Sequence, residues 1–166
     1  MTTQQARPDL QTSELSRRRW RRGGVLLGLG LGGFFDGIVI HQLLQWHHMV
    51  SAVYPPDTLD NLRLNTLADG FFHAATWVFT LLGTVLLWSG LRGNHATWRS
   101  STFLGTLLFG WGLFNVVEGL IDHHLLGVHH VRPGPFQLAY DLGFLAWGAG
   151  MLLLGGWLMR EGPSRG

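Results

Sequence analysis

Four long apolar runs, separated by short polar connections, dominate the pattern of hydrophobic and polar positions along the chain. They span residues 23–46, 68–90, 101–124 and 136–159. About 20 consecutive apolar residues let a helix cross the hydrocarbon core of a bilayer, and each run exceeds that length. The pattern therefore predicts an all-α integral membrane four-helix bundle. We expect spans at about 23–48, 66–90, 101–126 and 136–159, within a membrane domain over residues 23–160.

Composition supports this prediction, and the arginines add an orientation. The chain is 46% hydrophobic and only 13% charged, about half the charged fraction of a soluble domain. It contains no lysine, and all but two arginines lie before the first run, between the second and third, or after the fourth. By the positive-inside rule both termini are cytoplasmic. The pI near 9.9 reflects that topology, so we expect no nucleic-acid partner and a disordered basic tail over residues 1–22.

A basic segment before an apolar run is also typical of a signal peptide. No small-residue cleavage site of the A-x-A kind follows here, so we expect the first run to remain as a span. The absence of cysteine excludes disulfides, zinc sites built on thiolates and iron–sulfur clusters.

The outer parts of the first and third runs resemble each other at a constant offset of 82 residues. The segments are "FDGIVIHQLLQWHHM" (35–49) and "VEGLIDHHLLGVHHV" (117–131). This alignment pairs Asp36 with Glu118, His41 with His123, His47 with His129, and His48 with His130. The second and fourth runs match more weakly, with Asp69 opposite Asp141 but His73 opposite Leu145. We predict a duplicated two-helix hairpin with a pseudo-two-fold axis along the membrane normal.

Ionisable side chains interrupt the apolar runs at a substantial energetic cost. The five carboxylates within the spans belong to Asp36, Asp69, Glu118, Asp122 and Asp141. Each costs about 2.5–3.5 kcal/mol on insertion scales, and no arginine lies among them. Together with eight of the nine histidines (all but His95) they fall in the outer half of the predicted bundle, whereas the inner halves are almost purely apolar. A bound cation, protons or hydrogen bonds to histidine must therefore neutralise them.

A transition-metal site explains this mixture most directly. Imidazole suits iron, copper and zinc, and carboxylates on facing helices complete metal sites in helical bundles. The first candidate ligands are His41, His73, His123, Glu118 and Asp122. Asp36, Asp69 and Asp141 are candidates as ligands or as groups that orient the imidazoles. The shallower His47, His48, His129 and His130 are candidates for an entry site or a second metal centre.

Three other interpretations remain open from the sequence. Histidines spaced seven residues apart on each odd helix would suit haem b, and Asp/Glu/His chains can form a proton or ion pathway without a fixed metal. The polar groups could also satisfy one another, with ordered water, in a tightly packed bundle. Glycines within the runs allow close helix approach or a homodimer. A periplasmic metal or redox partner would fit the metal interpretation, and no reaction is assigned.

The quoted segments, together with "NTLADGFFHAATW" (65–77), resemble the bacterial predicted-membrane-protein family DUF2243. The resemblance covers about residues 23–160. It implies a four-span protein of the bacterial inner (cytoplasmic) membrane, and it implies no particular reaction.

Overall fold

The computed structural model describes residues 6–92 and 99–160, and their regular secondary structure is entirely helical. The helices are α1 (Ala6–Phe35), α2 (Leu59–Arg92), α3 (Ser100–Glu118) and α4 (Gln137–Leu158). A π-helical segment continues α1 over Asp36–Leu43, and another continues α3 over Gly119–Leu125. Among these described residues, four helical segments are long and apolar enough to cross a membrane: Thr12–Leu43, Leu59–Arg92, Ser100–Leu125 and Gln137–Leu158. The predicted all-α fold with four long apolar helices is confirmed.

The first helix begins well before the apolar run. Residues 6–22 are helical, in contrast to the disordered tail that their polar sequence predicts, and residues 1–5 lie outside the described part of the chain. Packing explains the extension. Trp20 is buried, with its ring centroid 5.9 Å from that of Phe103, and it lies against the backbone of Gly90.

The four helices form a row rather than a closed bundle. The central pair is α1 and α3, with α2 packed on the far side of α1 and α4 on the far side of α3. Within the described residues, the backbones of α2 and α4 do not approach each other. Glycine permits the close contacts, as predicted. A Cβ atom built on Gly83 would lie 2.5 Å from the Leu27 amide nitrogen, and one on Gly112 would lie 2.5 Å from the Gly148 carbonyl oxygen.

The first helical segment ends at Leu43, before the predicted limit of about residue 48, whereas the third ends at Leu125, within one residue of its predicted limit. We call the end that carries the connections 44–58 and 126–136 the outer end. Helical winding stops at Leu43 and Leu125, and a residue with left-handed backbone follows each stop: Gln45 (φ 50°) and Gly127 (φ 58°). Such residues commonly end helices. The segments that follow therefore fold over the outer end and carry the histidine doublets into the protein.

Candidate metal centre

The two π-helical segments place an acid and a histidine on the same inward side. Asp36 and His41 are five residues apart, as are Glu118 and His123. In an α-helix that spacing would separate two side chains by roughly 140°. A π-helix bonds residue i to residue i+5, so side chains five apart lie nearly above one another, and such turns occur frequently at functional sites. His41 Nε2 accordingly lies 2.9 Å from Asp36 Oδ2.

Six buried side chains converge at the outer end between α1 and α3. They are Asp36, His41, His47, Glu118, His123 and His129. Their ligand atoms form three overlapping groups, each with all atoms within 4.8 Å of one another: His41, His47 and His129; Glu118, His123 and His129; Asp36, His41 and Glu118. We call these six residues the central cluster. Four imidazoles and two carboxylates thus link the two halves of the chain.

The polar atoms at the centre of this cluster are buried and have no hydrogen-bond partner within residues 6–92 and 99–160. They include both carboxylate oxygens of Asp36 and Glu118 and the Nε2 atoms of all four imidazoles. Even His41 Nε2 and Asp36 Oδ2, which lie 2.9 Å apart, are not aligned for a hydrogen bond. Leaving a buried polar group unsatisfied costs about 1–3 kcal/mol. An ion with bonds of about 2.0–2.1 Å holds neighbouring ligand atoms roughly 2.9–3.4 Å apart. The distance of 2.9 Å between His41 Nε2 and Asp36 Oδ2 and that of 3.4 Å between His129 Nε2 and Glu118 Oε1 both lie in this range.

Backbone carbonyls fix the tautomers of two central imidazoles. The Nδ1–H group of His47 donates to the Val131 carbonyl (2.9 Å), and that of His129 donates to the Met49 carbonyl (3.0 Å). Because a carbonyl only accepts, the proton is on Nδ1 and the Nε2 lone pair faces the cluster. Burial lowers the pKa of His47 to about 4, and burial with the neighbouring His47 and His123 also lowers that of His129. Both rings are therefore neutral near pH 7, which is the form that binds metals.

On the α2 side, Asp69 organises the surroundings of His41. Its carboxylate accepts hydrogen bonds from His41 Nδ1 (2.9 Å), His48 Nδ1 (2.7 Å) and the Met49 amide (2.9 Å). A carboxylate in this position holds an imidazole in one tautomer and orientation and raises its basicity as a ligand. Asp69 therefore acts on the cluster through His41, and His48 supports it from the partly exposed side.

On the α4 side, Asp141 occupies the corresponding place, with one difference. It accepts from His130 Nδ1 (2.8 Å) and from the Val131 amide (2.9 Å). Its Oδ1 atom, however, lies 3.7 Å from His123 Nδ1, which has no hydrogen-bond partner. His123 is consequently held by packing more than by hydrogen bonds.

Aromatic rings enclose the cluster on both sides. Phe72 of α2 stacks on His41 with ring centroids 5.5 Å apart, and Phe144 of α4 packs on His123 at 5.4 Å. Phe114 of α3 contacts Phe72 from below at 5.9 Å. This apolar wall separates the buried donors from lipid and lowers the local dielectric, which strengthens any interaction with a charged ion.

Several predicted residues lie outside the three groups. His73 stacks on Phe34 at 6.5 Å, and its buried Nε2 has no partner. Asp122 is half-buried, and it also belongs to none of the groups. In contrast, the shallow His47 and His129 join His41 and His123 in a single cluster, because the chain folds inward after Leu43 and Leu125. His48 and His130 instead donate hydrogen bonds to Asp69 and Asp141. That the cluster binds a metal remains a prediction.

Sequence reasoning did not find the groups that position the outer segments. Asn65 is completely buried; its Oδ1 accepts from the Val50 amide (3.3 Å) and its Nδ2 donates to the Tyr54 carbonyl (2.7 Å). The roles of the Met49 and Val131 carbonyls could not be predicted either, because every residue carries a main-chain carbonyl. A polar amide four residues before Asp69, on the same face of α2, was the one available signal.

The spacing of the imidazoles leaves no room for a haem between them. Ring centroids are 4.4 Å apart for His41 and His47, 4.6 Å for His47 and His129, and 4.8 Å for His123 and His129. Two histidines that ligate one haem must stand on opposite faces of its macrocycle. The cluster therefore suits bare ions.

Comparison with known proteins gives a family and no closer relative. The model of the family described as "Predicted membrane protein (DUF2243)" matches residues 23–162. No curated protein and no solved structure matches the chain.

Proposed function

Since the chain belongs to the predicted membrane protein family DUF2243, we propose that it is a membrane metalloprotein of the bacterial inner membrane. It binds a transition metal (non-haem iron, copper or zinc) through the central cluster and serves in metal handling or redox chemistry. The observation that carries the proposal is the convergence of six buried side chains whose inward donor atoms have no hydrogen-bond partner in the described part of the chain. With the termini in the cytoplasm, as the arginines favour, the cluster faces the periplasm.

Charge supports a cation at this place. The carboxylates of Asp36 and Glu118 belong to one group with His41, within 4.8 Å. Two carboxylates this close in a buried, apolar setting repel each other strongly. The chain has no lysine, and within the described residues no arginine forms an ion pair with either acid. A metal cation satisfies both carboxylates and the imidazole lone pairs at once.

The donor set indicates which metals to test first. Imidazole nitrogen and carboxylate oxygen, without thiolate, are typical of non-haem iron, zinc and copper(II) sites. In such a site the metal would supply Lewis-acid or redox chemistry. The protein's own residues have separate tasks: Asp69 orients His41, main-chain carbonyls orient His47 and His129, and Phe144 excludes lipid and water.

A proton pathway through the membrane receives less support from the inner half. The hydroxyls of Thr80, Thr84 and Thr106 bond to carbonyls of their own helices at 2.9, 2.8 and 2.7 Å. Such bonds satisfy each hydroxyl locally, so these groups do not form a chain between the cluster and the cytoplasmic side. The metal proposal uses the outer half alone and needs no such route.

The test is metal content of the full chain purified in mild detergent. We expect iron, copper or zinc to co-purify, or to bind on titration, as measured by inductively coupled plasma mass spectrometry. His129→Ala should lower the affinity for at least one bound ion by more than about 100-fold, since even residues that only orient metal ligands contribute 10–100-fold.

The matched control is His124→Ala. His124 is exposed, and its Nδ1 donates to the Gly119 carbonyl of its own helix at 2.8 Å. This variant should bind metal like the wild type. A chain that binds none of the three metals would contradict the proposal, and a Soret band in the visible spectrum would show haem instead.

A further inference from the structure

The central cluster divides into two similar ligand sets, one from each half of the chain. The first set is Asp36, His41 and His47; the second is Glu118, His123 and His129. Building on the proposed function, we infer that the cluster holds two metal ions about 3.5–4 Å apart, as two-metal sites do. Each set then supplies two imidazoles and one carboxylate to its own ion, and the two carboxylates lie between the ions.

The number of donor atoms exceeds what one ion can use. Eight buried atoms of these six side chains, the four carboxylate oxygens and the four Nε2 nitrogens, have no hydrogen-bond partner among the described residues. A transition metal ion in a protein takes about four to six donors. One ion would leave several buried atoms unsatisfied, whereas two ions account for them.

Distances support the same division. Ligand atoms of one ion can lie no farther apart than twice the bond length, about 4.2 Å. In the first set, Asp36 Oδ2 is 2.9 Å from His41 Nε2 and 4.0 Å from His47 Nε2. In the second set, Glu118 Oε1 is 3.4 Å from His129 Nε2. Asp36 with His41 and His47, and Glu118 with His129, are therefore close enough to bind one ion each, and His123 lies in a group with Glu118 and His129 whose ligand atoms are all within 4.8 Å of one another.

The two sets also touch, as a shared centre requires. Asp36, His41 and Glu118 form one group within 4.8 Å, and so do His41, His47 and His129. A carboxylate placed between two ions can bind both. The centre is thus one site with two ions rather than two separate sites.

The number of buried carboxylates also favours two metal ions. Four carboxylates are buried at or directly around the cluster: Asp36 and Glu118 within it, and Asp69 and Asp141 behind its histidines. Two divalent cations carry the four positive charges that match them, whereas one divalent cation leaves two of the carboxylates to be neutralised by protons or hydrogen bonds alone. Uncompensated buried charge is strongly unfavourable.

Each set is positioned by the opposite half of the chain. His47 of the first set donates to the Val131 carbonyl, and His129 of the second donates to the Met49 carbonyl. Two imidazoles and one carboxylate per ion leave coordination positions open, as in non-haem iron sites with this donor set. The ligand class that fits between the two ions is a small oxygen donor, such as hydroxide.

The experiment counts ions and tests whether they interact. The full metal-free chain in detergent is titrated anaerobically with Fe(II), with bound metal measured by mass spectrometry, and the Mn(II)-loaded protein is examined by electron paramagnetic resonance. We expect two ions per chain and an exchange-coupled Mn(II) spectrum. His47→Ala and His129→Ala should each retain one ion and lose the coupling, whereas His124→Ala should retain both.

The outcomes separate this inference from the proposed function. One tightly bound ion per chain, or two ions without exchange coupling, overturns the two-ion centre and leaves metal binding intact. A chain that binds neither Fe(II) nor Mn(II), nor zinc or copper, overturns both. The wild-type count and spectrum decide the question even if a variant fails to fold.

Discussion

His41 and His123 are equivalent histidines in the two halves of the cluster, but only His41 is fixed by a hydrogen bond to an aspartate. In the first half, His41 Nδ1 donates to Asp69 at 2.9 Å. In the second half, His123 Nδ1 stands 3.7 Å from Asp141 and has no hydrogen-bond partner. Both aspartates also accept one bond from the second histidine of the neighbouring doublet (His48 or His130) and one from the main-chain amide that follows it.

A second difference concerns the side chain that faces the glycine after each acid of the cluster. The α2 side chain facing Gly37 is His73, whereas the α4 side chain facing Gly119 is Leu145. A Cβ atom on Gly37 would meet the His73 ring, and one on Gly119 would approach Leu145 Cδ2 at 2.8 Å. Glycine at both positions thus admits two different side chains into the same space.

These differences show that similar ligand sets need not be similarly preorganised. The imidazole of His41 is fixed by a charged acceptor before any ion binds, so less ordering is required at binding. The ring of His123 has more freedom and must be ordered by the ion itself. We therefore expect the first half to bind more tightly than the second.

Asp69→Asn and Asp141→Asn should show the largest difference between the halves. Residues that orient metal ligands typically contribute 10–100-fold to affinity. We expect Asp69→Asn to weaken metal binding by about 100-fold and Asp141→Asn by about 10-fold, because only Asp69 bonds directly to a histidine of the central cluster. Isothermal titration with Zn(II) measures both. Equal losses, or a greater loss in Asp141→Asn, would show that the difference in hydrogen bonding has no energetic consequence.

Asn65→Ala should have an intermediate effect, on the outer segment rather than on the ligands. The change removes the bonds from Asn65 to Val50 and Tyr54, which should destabilise that connection by about 1–2 kcal/mol. Faster amide hydrogen exchange at residues 50–54 would report it. Gln137→Ala is the matched control in the second half, since Gln137 is only partly buried. Unchanged exchange in Asn65→Ala would mean that the segment is held by other contacts.

His73→Leu should have the smallest effect, because it gives the first half the residue of the second. His73 belongs to none of the three ligand groups, so we expect metal affinity to change by no more than about twofold, as for independent sites. Its unpaired Nε2 is removed at the same time, so stability should not fall. Loss of an ion in this variant would instead identify His73 as a ligand, as the sequence alone had suggested.

Much of the architecture follows from the order of residues. Apolar run length predicts the four helices, because a chain in lipid must satisfy its own backbone hydrogen bonds. The cost of isolated acids in that setting also indicates a cluster of acids and histidines near the outer end. The offset of 82 residues pairs the chemically equivalent side chains, although the duplication behind it remains a prediction.

The composition of the cluster was decided only by the tertiary structure. The predicted span of about 23–48 would continue one regular helix through Asp36, His41 and His47, whereas the chain winds as a π-helix over Asp36–Leu43 and then leaves helical structure. Near such a terminus a single extra residue per turn redirects every later side chain. The sequence by itself determined which groups lie near the outer end, since the depth of a residue in the membrane depends on its position along an apolar run and on the length of that run. Which of them meet depends on backbone winding and on contacts between distant segments, such as His47 with Val131, and local sequence does not encode those distances.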